Sequence, residues 1–159
     1  MVIHSRVRRA AGFTLPELVV TMAVTAILIA TAIPSYSSLT ASQRAKTFSS
    51  ELYTTLLKTR SYAIQRNANA TLSPIGGNWA SGWQILDPAN GTTVLEQRSA
   101  AAGVTATGPA LVTFNSSGRV AVGSGTNFVI TTTAGSATIY QCVSLDLGGR
   151  PYIKASASC

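Results

Sequence analysis

Hydrophobic positions along this chain change their period twice. From Phe13 to Ile33 they run almost without interruption, broken by Thr14, Pro16, Glu17 and a few further threonines. About 21 residues at about 1.5 Å each make about 31 Å, the thickness of a bilayer's hydrocarbon core, so one helix over this run is long enough to span. After Pro34 the apolar positions thin to a stripe of Ala45, Phe48, Leu52, Leu56 and Ala63, with Leu57 and Ile64 widening it. Spacings of three, four and seven residues predict an amphipathic helix reaching about Asn67 and packed on a domain by that stripe. Its other face carries Arg44, Lys46, Glu51, Lys58, Arg60 and Arg66, and is expected to be solvated.

Beyond Asn67 the pattern changes to short β-branched and aromatic runs. Strands are predicted at 83–86, 92–95, 111–114, 120–122, 128–133, 138–144 and 152–154, separated by turn clusters such as Asp87–Gly91, Asn115–Gly118 and Gly148-Gly149. Residues 100–108 read as a small-residue loop. Six or seven closely spaced strands after a long helix predict an α+β fold, an antiparallel body with the helix closing one face. The expected divisions are 1–12, a basic leader; 13–34, a membrane-spanning helix; 35–67, the amphipathic helix; and 68–159, the β body.

Charge separates the two ends. Arg6, Arg8 and Arg9 precede the apolar run, and the positive-inside rule keeps them on the cytoplasmic side with the β body across the membrane. A cleaved secretory signal is the alternative, since Ala30-Thr31-Ala32 is an A-x-A sequence at the end of the run. Glu17 argues against it. A carboxylate inside an apolar helix is costly and needs a partner, which an ordinary signal peptide never supplies. Arg8-Arg9 is followed by Ala10-Ala11-Gly12-Phe13, a poor match to a twin-arginine signal.

The segment Gly12-Phe13-Thr14-Leu15-Pro16-Glu17-Leu18, after a basic leader and opening an apolar helix, resembles the class III signal of type IV pilins and type II secretion pseudopilins. The resemblance implies cleavage between Gly12 and Phe13 by a prepilin peptidase, N-methylation of Phe13, and a role for Glu17 in assembly, meeting the amino-terminal charge of a neighbouring subunit. Pairing in a helix bundle would offset the desolvation of both charges. Pro16 stands where the family has a bulky aliphatic residue. Proline is tolerated in a helix's first turn, so processing and insertion are expected to survive.

Composition narrows the chemistry. Charged residues are only 11% of the chain, and mean hydropathy is +0.27, which fits a membrane segment joined to a body whose polarity comes from Ser, Thr, Asn and Gly. The one histidine is His4, so His-based catalysis and His metal ligation have no member in the body. Past residue 40 the acids are Glu51, Asp87, Glu96 and Asp146, isolated from one another in sequence. No catalytic residue, metal ligand or cofactor site is therefore expected, and the chain reads as no enzyme. Cys142 and Cys159, two cysteines in an exported domain, favour a disulfide. Closing about 16 residues, it would contribute roughly 3 kcal/mol. Asn69, Asn90 and Asn115 have the form of glycosylation acceptors, a chance outcome where Ser and Thr are so abundant.

The body resembles the GspH/FimT family of minor pilins and pseudopilins. The landmarks are Thr59 to Asn67 at the helix end, Gly82-Trp83-Gln84-Ile85-Leu86-Asp87, and Thr113-Phe114-Asn115-Ser116-Ser117-Gly118-Arg119. Trp83 is expected in the core, with Gly82 and Gly118 permitting tight backbone geometry. Gly149-Arg150-Pro151-Tyr152-Ile153-Lys154 is similar to the G-R-x-R element of FimT-type proteins of DNA uptake, with Tyr152 in place of the second arginine. By that resemblance Arg150, Lys154 and Tyr152 are possible DNA contacts, two bases for phosphates and a ring for stacking. The alternative is a disulfide-closed hairpin with solvated charges. The expected role is a minor pilin in type IV pilus assembly or its tip complex. The alternatives are a DNA-binding minor pilin for natural transformation and a type II secretion pseudopilin. The implied partners are major and minor pilin subunits, prepilin peptidase, the inner membrane before assembly, and double-stranded DNA.

Overall fold

The computed structural model describes residues 12–159. One α-helix, α1 (Leu15–Arg66), is followed by eight strands, β1 (Ala70–Pro74), β2 (Gly82–Leu86), β3 (Val94–Ser99), β4 (Thr105–Thr107), β5 (Val112–Phe114), β6 (Asn127–Ala134), β7 (Ala137–Leu145) and β8 (Pro151–Lys154), with two 3-10 turns, Ile75–Gly77 and Trp79–Ser81, between β1 and β2. The chain divides into two compact units, Met1–Tyr36 and Ser37–Cys159.

In the first unit, α1 leaves Leu18, Val19, Val20, Met22, Val24, Ile27, Leu28 and Ile29 exposed. Thr21 and Thr25 donate their hydroxyls to the carbonyls of Leu18 and Thr21, so these polar groups need no water. A helix of this length and hydropathy can cross a membrane.

In the second unit the rest of α1 lies on two antiparallel four-stranded sheets, in the orders β3-β2-β1-β5 and β4-β6-β7-β8. Ala45, Phe48, Leu52, Leu56 and Ala63 are all buried, as their spacing predicts. Leu57 and Ile64 are 38% and 49% exposed. Each sits about 100° around the helix from Leu56 or Ala63, past the limit of what the sheets cover.

Four rings tie the layers together. Phe48 of α1 meets Trp83 of β2 edge-on at 5.1 Å, Trp83 neighbours Trp79 at 6.5 Å, and Trp79 meets Phe128 of β6 edge-on at 4.8 Å. Both indole N–H groups are satisfied, Trp83 donating to Thr55 Oγ1 at 3.1 Å and Trp79 to the Pro109 carbonyl at 2.8 Å, so burial of two tryptophans leaves no orphan donor. Trp83 is core, as expected. A side chain at Gly82 would come within 2.0 Å of the Arg98 carbonyl, which is why no larger residue fits beside that strand.

The strands correct the sequence reading in three places. Residues 120–122 form no strand: Val120 makes an isolated bridge to Phe114 and Val122 is fully exposed. The 92–95 strand begins later, at Val94, because Asn90 accepts from the N–H groups of Thr92 and Thr93 and holds them in a turn. β1 and β4 lie where no strand was expected. Pairing supplies them: β1 sits between β2 and β5, and β4 adds to the edge of β6.

The charged face of α1 is only partly solvated. Lys58 pairs with Glu96, Glu51 with Arg98, and Arg66 with Asp87 at 3.1 Å. Glu96 and Arg98 belong to edge strand β3, opposite Ile85 and Trp83. The Arg98 guanidinium also lies 5.0 Å from the centre of Trp83's ring and 5.6 Å from that of Phe48.

Candidate functional site

Two regions carry the residues singled out in the sequence. At the amino-terminal end, Gly12 and Phe13 are exposed and precede the helix. Thr14 stands just before the first helical residue. Its N–H points to Glu17 Oε2 at a long 3.5 Å, the reach-back arm of a T-x-x-E capping box. Pro16 falls in the first turn, where its missing N–H has no intrahelical acceptor to lose. Arg6, Arg8 and Arg9 lie outside the described residues.

At the other end, Cys142 and Cys159 are joined by a disulfide with Cα atoms 5.5 Å apart. It fastens the tail after β8 to buried β7. Along β8, Tyr152 and Lys154 share a face, and the Lys154 ammonium lies 5.3 Å from the centre of the Tyr152 ring. The ring thus already has a cation over it. Arg150 is not beside them on the strand. It closes the β7–β8 turn, where its Nε lies 3.4 Å from Asp146 Oδ2.

That turn has a twin. In Asp146–Arg150, the Asp146 N–H donates to the Arg150 carbonyl at 3.0 Å, Gly149 N–H to the Asp146 carbonyl at 2.9 Å, and Arg150 N–H to Asp146 Oδ1 at 2.8 Å. In Asn115–Arg119, the Asn115 N–H donates to the Arg119 carbonyl at 2.9 Å, Gly118 N–H to the Asn115 carbonyl at 2.8 Å, and Arg119 N–H to Asn115 Oδ1 at 3.0 Å. The fourth residue is in the left-handed region in each, Gly118 at φ 71° and Gly149 at φ 76°. Paired residues flank both turns, Phe114 with Val120 and Leu145 with Pro151.

The twins also touch. A side chain at Gly149 would come within 2.4 Å of the Gly118 carbonyl and 3.4 Å of Arg119 Cα. The same Gly118 carbonyl accepts from Arg60 Nε of α1 at 2.7 Å. Arg60, Arg119 and Arg150 therefore converge on one end of the body. Asp146 sits among them, and its carboxyl is held below its ordinary 3.8. The causes are first the Arg150 N–H, then the Arg150 charge, the Gly148 N–H and the Arg60 charge.

Arg119 was absent from the sequence-based candidates, and Arg60 entered only as one of the bases of the long helix. The signal for Arg119 is the recurrence of [Asn/Asp]-x-x-Gly-Arg at 115–119 and 146–150, which has no tandem neighbour and so escapes a search for fixed periods. Among the described residues no cluster of His, Cys, Asp and Glu could hold a metal ion.

This is the architecture of a type IV pilin or pseudopilin. The sequence matches the family model of the type II transport protein GspH over residues 49–149 and that of the prokaryotic N-terminal methylation motif over residues 7–33; the chain belongs to the GspH family. It is accordingly a structural component and not an enzyme. Two crystal structures of the type IV minor pilin FimU of Pseudomonas aeruginosa share the fold. They are 21% and 22% identical, with TM-scores of 0.58 and 0.60, and the matches cover 72% and 74% of this chain and 98% and 96% of theirs. The minor pseudopilin EpsH from the type 2 secretion system of Vibrio cholerae is 16% identical with a TM-score of 0.54, over 70% of this chain and 97% of its own. No curated protein matches significantly.

Proposed function

We propose that this chain is a minor pilin of a type IV pilus. Prepilin peptidase cuts it between Gly12 and Phe13, the Phe13 amine is methylated, and the product waits in the inner membrane as a single-pass protein before joining the pilus. Residues 13–34 then lie in the pilus core, 35–67 form the helix of the globular part, and 68–159 face outward. The observation that carries this reading is one chain matching both the methylation motif and the GspH body, with Glu17 in the first turn of α1, ahead of its apolar run.

Glu17 is the assembly residue. Among the described residues its carboxylate reaches the Thr14 N–H, at a long 3.5 Å. A neighbouring subunit's terminal ammonium is a stronger partner in low dielectric, because it neutralises the charge and bonds it. Glu17→Ala is expected to leave cleavage intact and to remove the chain from sheared pili. Normal recovery of the variant in the pilus fraction would overturn this role. Deletion of the chain separates the pilus from the secretion assignment: a minor pilin's loss reduces surface pili, whereas a pseudopilin's loss abolishes secretion and leaves pili unchanged.

A second reading, a DNA-binding minor pilin serving DNA uptake, is favoured by the arginines gathered at the twin turns. Arg150 takes part in it, while Lys154 and Tyr152 engage each other.

A further inference from the structure

We propose that the twin turns form a single phosphate-backbone site, in which Arg119 and Arg60 act with Arg150, and in which Asp146 is a built-in counter-ion that restrains Arg150. The proposal rests on the DNA-binding reading and names the residues and the restraint.

The geometry supplies the argument. Each turn fixes its arginine's backbone at both ends, N–H to the side-chain oxygen of the first residue and carbonyl to that residue's N–H. The two arginines thus start from rigid, adjacent mounts, and only side-chain freedom is lost on binding. Arg60 is held by the Gly118 carbonyl through Nε alone, which leaves its terminal nitrogens to a ligand. Arg119 is exposed, and its guanidinium makes no hydrogen bond or ion pair among the described residues.

The twins differ at one charged position. Where Asp146 places a carboxylate beside Arg150, Asn115 places a neutral amide beside Arg119, and both side chains perform the same backbone capping. Capping therefore does not require the charge at Asp146; besides strengthening the cap's N–H bonds, the charge adds attraction for Arg150. Elsewhere on the body Glu51, Asp87 and Glu96 are each paired with a base, so Asp146 is the acid that tunes this locus. A planar guanidinium on a fixed mount suits phosphate oxygens, and three of them suit a linear polyphosphodiester better than a scattered set of carboxylates.

The test uses the full mature chain in a neutral detergent and a fluorescent random-sequence DNA duplex, read by anisotropy. Three phosphate contacts give a log–log salt slope of about −2.7, so affinity should fall about fortyfold between about 50 and 200 mM salt. Arg119→Gln and Arg150→Gln should each reduce that slope by about 0.9, with Lys154→Gln close to wild type. Asp146→Asn should bind about two- to fivefold tighter and Asn115→Asp weaker by a similar factor, each still unfolding cooperatively on heating. Absence of wild-type binding at about 50 mM salt overturns both this site and the DNA reading. Wild-type binding that is indifferent to Arg119→Gln and Asn115→Asp, but lost in Lys154→Gln, overturns this site alone. Displacement of the duplex by polyglutamate at equal charge would show a site for acidic protein and overturn the phosphate assignment.

Discussion

Gly149 shows how little room a tight turn leaves. Its φ of 76° lies where a side chain strains the backbone, and a Cβ there would also press on the Gly118 carbonyl at 2.4 Å and on Phe114 Cε1 at 3.2 Å. Gly135, in the β6–β7 hairpin, has φ 59° but nothing within 4 Å of a Cβ. The pair separates strain from collision. Gly135→Ala should cost about 1 kcal/mol, the left-handed penalty alone, whereas Gly149→Ala should cost at least about 2 kcal/mol because backbone must move. Urea unfolding of both variants measures the difference, and equal costs would mean that the twin turns are not in firm contact. The sequence made such a residue visible as a glycine in a turn cluster. It could not show what the glycine touches, since Gly118 and Gly149 meet only through the tertiary fold.

Elements were legible in proportion to how much of their signal is local. α1 declared itself by a long apolar run and then a buried stripe, and β2, β6 and β7 by aromatic and β-branched runs. β4, the tripeptide Thr105-Ala106-Thr107, has no such signal and exists because β6 offers it an edge. β1 has Leu72 and Ala70 as its buried positions and ends on Pro74, so turn residues masked it. Edge strand β3 carries the opposite lesson. Its inward positions hold Glu96 and Arg98, each bound to α1, a placement that costs little here and discourages another chain from adding to the free edge. Glu96→Thr/Arg98→Thr should therefore leave β3 paired with β2 but promote association through that edge. Light scattering across a concentration series would register it, and a variant that stays as monodisperse as wild type would remove the protective role.

At the scale of the molecule, the surplus of twelve Lys and Arg over five Asp and Glu divides by location. Arg6, Arg8 and Arg9 precede Gly12, while all four body acids are engaged in ion pairs. The basic balance of the body thus resides in Arg44, Lys46, Arg60, Arg119 and Lys154, of which the first three lie on α1 and Arg60 reaches the turn that carries Arg119. Whether those charges ever operate beside an apolar helix depends on where the chain is cut. Cleavage at Gly12 removes three arginines and retains Glu17 with the entire spanning run. Cleavage after the A-x-A sequence removes Glu17 and the run together, and releases a soluble β domain. The mass and amino-terminal sequence of the chain recovered from membranes discriminate the two. The expected product begins at Phe13 with one added methyl group, and Glu17→Ala should leave that amino terminus unchanged, its mass altered by the substitution alone, because the peptidase acts before subunits meet. A product beginning at Ile33 would detach the body from any pilus core.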